Sequence, residues 1–199
     1  MTIIIIAFFS LILSLIIGII FSFASKSRFL PLYYFSKVYV EIIRSTPLLV
    51  QIYVFFYIIG TALGLANRYV LGVVILSIFS GAYICEIIRA GIGSIDSSQI
   101  EIARSLGFTS YQRYRFIIIP QVIKRILPPL AGQLASLIKD SSLLSIIAVT
   151  ELTRNVQEVD AINFATFENY LVLTILYMIL TVPVLFLSRK LEKKFSYEN

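Results

Sequence analysis

The sequence predicts an all-α integral membrane protein of about five transmembrane helices, with a short polar helical hairpin on one face. Three observations carry that prediction. The chain of 199 residues is 58% apolar and only 14% charged, whereas a soluble domain devotes about a quarter of its residues to charge. Its charge-free runs reach the roughly 20 residues needed to cross a hydrocarbon core about 30 Å thick. Inside that core a single segment satisfies its own backbone N–H and C=O groups only as a helix.

The first span reads from Ile3 to about Ala24. Ser22-Phe23-Ala24 loosely resembles a signal-peptide cleavage site, but the stretch lacks a basic start and its apolar core is too long, so it reads as an uncleaved span. The second runs over residues 40–60 with Pro47 near its start, and the third over 69–88. A fourth, over 126–149, is interrupted by Lys139 and Asp140, and a fifth, over 165–187, contains Pro183. Residues 1–199 thus read as one transmembrane domain, with a long cytosolic loop at 89–125.

Lysine and arginine set the orientation, because cytoplasmic flanks retain positive charge. Lys26, Arg28, Lys37 and Arg44 follow the first span; Arg89, Arg104, Arg113, Arg115, Lys124 and Arg125 follow the third; Arg189, Lys190, Lys193 and Lys194 make up the tail. The opposite loops hold only Arg68 and Arg154. The amino terminus is therefore expected outside and the carboxy terminus in the cytosol. The net charge of +6 follows from this asymmetry and calls for no nucleic acid.

Several enzymatic readings can be set aside on inventory, and no hydrolytic site is visible. The chain has no histidine, which removes zinc-peptidase helices and Ser-His-Asp nucleophiles, and its single Cys85 offers neither a disulfide nor a metal cluster. No Gly-x-x-x-x-Gly-Lys-Ser/Thr phosphate loop is present. If the protein moves a solute uphill, ATP is bound by another chain or an ion gradient replaces it.

The stretch "EIARSLGFTSYQRYRFIIIP", Glu101 to Pro120, is the polar exception. Ser98 and Glu101 have capping-box spacing, which starts a short helix with Ile100, Ala103 and Leu106 on one face and Arg104 on another. Gly107 stands where a left-handed residue ends it. Thr109 and Gln112 repeat the capping box and start a second helix, which Pro120 interrupts before the fourth span. On these residues alone the hairpin either rests on lipid headgroups or contacts a partner.

Here the chain resembles the membrane permeases of ATP-binding-cassette importers, in the polar amino acid uptake branch. Their cytosolic signature is Glu-Ala-Ala, three residues, Gly, nine variable residues, then Ile-x-Leu-Pro. It is matched at Glu101, Ala103, Gly107, Ile117 and Pro120, with Ile102 and Ile119 as departures. "RSTPLLVQ", "GAYICEIIRAGI", "LPPL", "LIKDSSLLSIIAVTEL" and "FENYL" extend the likeness from about Val38 onward. The resemblance implies the type I importer permease fold and a bacterial inner-membrane location. It also implies one permease subunit paired with a second, identical or not, two ATPase subunits that bind ATP and Mg, and an extracytoplasmic solute-binding protein. This chain would hold no cofactor itself. The hairpin would be the coupling helix, with Glu101, Ala103, Arg104 and Gly107 facing the ATPase.

Candidate path residues lie in three places. "EIIR" occurs at Glu41 to Arg44 and again at Glu86 to Arg89, each copy able to form an i,i+3 ion pair that either gates a path or anchors a helix end. Lys139 and Asp140 cost at least about 2.5 kcal/mol each within a span. With Ser141 they either line a broken helix or neutralise one another. Between the fourth and fifth spans, Glu151 and Glu158 sit seven apart with Arg154 between them. Either they receive the side-chain cation of an arginine-like or lysine-like substrate, or they form a solvated loop that meets the binding protein. An ion-coupled secondary transporter is the alternative from another class, and the lack of a visible inverted repeat argues against it.

Overall fold

The computed structural model describes residues 2–65 and 67–196. Among these, every regular element is helical: α1 (Thr2–Ala24), α2 (Leu30–Ser45), α3 (Leu48–Tyr53), α4 (Arg68–Gly93), α5 (Ser97–Ser105), α6 (Ser110–Arg113), α7 (Ile119–Asp140), α8 (Leu152–Asn163) and α9 (Thr166–Ser196). Two π-helical stretches, Val54–Gly60 and Tyr114–Ile118, and a 3₁₀ stretch, Ser141–Ile147, join some of them.

Small residues bring α1 and α4 together as the central pair. A Cβ on Gly18 would lie 2.5 Å from the Ile84 side chain, and one on Gly81 would lie 2.6 Å from that of Ile17. Buried hydroxyls complete the seam: Ser10 Oγ donates across it to the Val73 carbonyl at 3.3 Å, and Ser77 Oγ lies 3.4 Å from the Ser10 carbonyl. Close approach and interhelical hydrogen bonds replace the hydrophobic effect, which lipid removes as a force between helices. Tyr39 ties α2 onto this pair, donating to the Ile78 carbonyl at 2.6 Å and packing its ring, tilted by 35°, against Phe21. The core grows from the pair through Ile6, Ile52, Ile75, Leu137 and Leu144. α9 packs on α7, where Ser188 Oγ donates to the Pro128 carbonyl at 2.7 Å.

Among the described residues, four helices are long and apolar enough to cross a membrane, and five if one bent pair is counted. That pair corrects the second expected span. The helix over residues 40–60 does not exist as one rod: α2 begins at Leu30, ends at Ser45, and meets Leu48–Gly60 at 111°. Pro47 lacks the N–H that would continue the ladder, and Thr46 is extended. The helix after Gly107 departs in the opposite sense. It runs from Ser110 through the π stretch into α7 without stopping at Pro120. The wider π turn loosens the α ladder just before the proline ring, which then sits in the first turn of α7. The third span also extends, α4 continuing to Gly93.

Candidate functional site

A polar cavity of about 370 Å³ lies between the end of α1, α2 and α4. Its charged lining is Lys37, Glu41, Arg44, Glu86 and Arg89, with hydroxyls from Ser25, Tyr33 and Ser36. Glu86 anchors it. Arg89 Nε donates to Glu86 Oε1 at 2.9 Å and Nη2 to Oε2 at 2.6 Å, a two-pronged pair one turn apart on α4. Arg44 crosses from α2 to the same carboxylate, with Nη1 3.4 Å from Oε2, and its guanidinium lies 5.5 Å from the Tyr83 ring centre. Glu41 has no ion-pair partner among the described residues. The second EIIR copy thus closes on itself as expected, and the first does not. Of the candidates read from sequence, both EIIR copies line this cavity, through Glu41 and Arg44 and through Glu86 and Arg89; Lys37 and Ser25 line it too, and no motif pointed to them.

The hairpin forms with one change of cap. Asp96, not Ser98, precedes α5, and its side chain accepts the Ser98 N–H at 3.0 Å, a bond that holds the Asp96 carboxyl below the usual aspartate range. Asp serves as well as Ser at a cap and lies closer to the turn from α4. Gln99 then occupies the reciprocal position, and its side chain instead accepts from Gln121 Nε2 at 2.7 Å, tying the hairpin to α7. Arg125 adds a second tie, to the backbone carbonyl and the hydroxyl of Ser94. Ala103 is buried and Ile100 packs with Ile95, Ile118 and Val122. Leu106, expected on that face, is 72% exposed because it closes the helix and turns outward; Ile102 beside it is 60% exposed. Gly107 has φ +79°, the left-handed geometry expected. Thr109 and Gln112 form the second capping box with both bonds present. The outer face therefore presents Glu101, Ile102, Arg104 and Leu106, rigidly held and uncovered.

The remaining candidates are dispersed. α7 ends at Asp140 and gives way to the 3₁₀ stretch, so the expected interruption is real. No ion pair joins Lys139 to Asp140 among the described residues, and Ser141 Oγ is buried against the Ile138 carbonyl at 2.8 Å. None of the three lines the cavity. Glu151 does not share a face with Glu158. It caps α8, 1% exposed, accepting from the N–H groups of Thr153 and Arg154 at 2.8 Å and from the Tyr177 hydroxyl at 3.0 Å. Burial raises its carboxyl above the ordinary glutamate range, against the downward pull of those bonds. Glu158 is exposed and already paired, Arg154 Nε lying 2.9 Å from Oε1.

A helical membrane body with a broken span, a two-signed polar cavity, a rigid exposed hairpin and no nucleotide-binding loop defines a transport subunit driven from outside itself. The chain belongs to the family of binding-protein-dependent transport system inner membrane components, whose model matches residues 14–197. It is 36% identical over 186 residues to the probable glutamine ABC transporter permease protein GlnM of Bacillus subtilis, covering 92% of this chain and 86% of that one. It is 35% identical over 182 residues to the glutamine transport system permease protein GlnP of Escherichia coli, covering 90% and 83%. The crystal structure of an amino acid ABC transporter with histidines superposes with a TM-score of 0.90 at 34% identity, over 98% of this chain and 90% of that one. An inward-facing MetNI methionine ABC transporter shares the fold, with a TM-score of 0.76 at 17% identity. The protein is accordingly a permease subunit of an amino acid ABC importer with the type I fold, and ATP hydrolysis belongs to a partner ATPase.

Proposed function

We propose that the chain forms one half of a permease dimer that carries a polar, uncharged amino acid of the glutamine class, delivered by a binding protein and driven by two ATPases that hold ATP and Mg. The observation that carries this reading is the cavity of Arg44, Glu86 and Arg89. Its guanidinium groups suit an α-carboxylate, the uncommitted Glu41 suits an α-ammonium, and the neighbouring hydroxyls suit a side-chain amide. The cationic substrate expected from Glu151 and Glu158 gains no support: one carboxylate is spent on a helix cap and the other on Arg154. The glutamine specificity named for the two bacterial relatives favours the same class.

The test is uptake in liposomes containing the assembled importer, with labelled glutamine competed by excess unlabelled amino acids. Glutamine and its short-chain amide analogue should compete. Arginine and lysine should not, and preferred uptake of either would overturn the neutral reading.

The orientation and the hairpin complete the cycle. With the amino terminus outside and the carboxy terminus cytosolic, the exposed face of Glu101, Ile102, Arg104 and Leu106 lies against the ATPase, and Gly107 lets the hairpin turn without strain. With Cys85 replaced, a single cysteine at Arg104 should be shielded from an impermeant thiol reagent in intact cells and one at Arg68 should react. Gly107→Val should reach the membrane and lose uptake, since a β-branched residue at that φ costs about 1–2 kcal/mol; normal uptake would remove the hairpin from transmission.

A further inference from the structure

Gln51 is a polar side chain 6% exposed, in the first turns of α3, just past the bend. In an unbroken helix the N–H of residue 47 would bond the carbonyl of residue 43. Pro47 has no N–H to give. The Ile43 carbonyl is met instead by Gln51 Nε2, at 2.8 Å, and the same nitrogen donates to Thr46 Oγ1 at 2.8 Å. The Thr46 hydroxyl donates its own proton to the Ile42 carbonyl at 2.8 Å. The carbonyl that Pro47 leaves without its N–H, that of Ile43, is thus closed by a clasp from α3, the Gln51 amide, while the bend residue Thr46 caps the Ile42 carbonyl. Only the donor side of the amide is used, since Gln51 Oε1 has no partner among the described residues. Arg44 lies between the two residues that the clasp grips, and from there it reaches Glu86 across the cavity.

We propose that Gln51 is a positioning residue for transport: its amide stands in for the N–H that Pro47 lacks, fixes the last turn of α2, and thereby aims Arg44 at Glu86. The role of the cavity in transport rests on the proposed function, but the clasp itself does not. The chemistry has two consequences. A donor is required, so Gln51→Met, similar in length but unable to donate, should release the turn. Gln51→Glu should do the same, because an ionised carboxylate would face carbonyl oxygens.

Cys85 reports on the result, because it lines the cavity and is 1% exposed. In the assembled importer, held in lipid nanodiscs without substrate, its modification by a small thiol reagent should be slow. Gln51→Met should accelerate that reaction about fivefold and lower uptake about tenfold, effects of the size seen for coupled neighbours. The deciding measurement is the cycle with Arg44→Ala. If Gln51 acts by aiming Arg44, the double variant matches Arg44→Ala within about twofold in both readouts. If Gln51 merely supports the fold, the two effects multiply, and the proposal fails. Should Gln51→Met not accumulate, Thr46→Val, which removes one acceptor of the clasp, is expected to behave in the same way at about a third of the size. Thiol modification needs no transported solute. A cavity that lies off the transport path would therefore leave uptake unchanged while the modification cycle still reports the clasp.

Discussion

The same four residues, Glu-Ile-Ile-Arg, occur at the end of α2 and near the end of α4 and do different things. In α4 the glutamate and arginine bind each other through two hydrogen bonds. In α2 the arginine ignores its own glutamate and crosses to Glu86, leaving Glu41 unpaired among the described residues. Local spacing is identical, so the difference lies in how the chain continues beyond each copy. α4 runs on for another turn to Gly93, which keeps Glu86 facing α2. α2 stops at Ser45, next to Arg44, at a bend of 111° where Gln51 binds the Ile43 carbonyl, and from that helix end Arg44 reaches toward α4. An i,i+3 spacing permits an ion pair; the tertiary setting decides with whom it forms.

The largest effect should come from the carboxylate that both arginines share. Glu86 is only 24% exposed at its side chain, and its removal leaves two guanidinium groups facing each other across the cavity. Glu86→Gln should lower uptake about a hundredfold, because both cavity arginines lose their partner, and lower the thermal midpoint of the assembled importer only slightly, since Arg44 and Arg89 are 44% and 55% exposed and solvent screens them. Wild-type uptake in this variant would show that the α4 copy only anchors a helix end. Arg44→Ala should cost about tenfold, since Arg89 still neutralises Glu86 while the link between α2 and α4 is lost. The check is the ratio of the two variants in one uptake assay; equal losses would mean that Glu86 acts through Arg44 alone and that its pair with Arg89 contributes nothing to uptake. Arg89→Lys keeps the charge and gives up the two-pronged geometry, so it should cost about fivefold, read as a rise in KM with little change in kcat.

How much of this picture is legible in the sequence depends on which interactions are local. The apolar runs locate α1, α4 and α9, because a span announces itself through length and hydropathy alone. Gly107 and the Thr109–Gln112 box are legible for the same reason: a turn and a cap are decided within four residues. The Ser98–Glu101 spacing misleads because Asp96, an equally good cap, sits two residues earlier and only the path of the chain out of α4 chooses between them. Pro47 is visible, but its consequence is not, since a proline kinks, breaks or tolerates a helix according to what replaces its missing N–H. Pro120 has the opposite outcome under the same rule, because a π turn makes room for it. Glu151 misleads most. Seven-residue spacing from Glu158 implies a shared face only if both lie inside the helix, and Glu151 is its cap.

Glu41→Gln should have the smallest effect and the most informative shape. Glu41 is exposed at the cavity wall, and Lys37, four residues before it, makes no ion pair with it among the described residues. Nothing in the packing of α2 therefore depends on its charge, and the thermal midpoint should stay where it is in the wild type. If the substrate's ammonium group uses Glu41, the variant instead raises KM about threefold at unchanged kcat, the size of a solvent-exposed ion pair. The contrast with Glu86→Gln is then one of kind: one carboxylate of the repeated motif is committed to holding helices together, and the other is free to meet a ligand. A thermal midpoint that drops in Glu41→Gln as it does in Glu86→Gln would erase that distinction. A KM that does not move would take the ammonium site away from Glu41 and leave the cavity recognising its substrate through the arginines and hydroxyls alone.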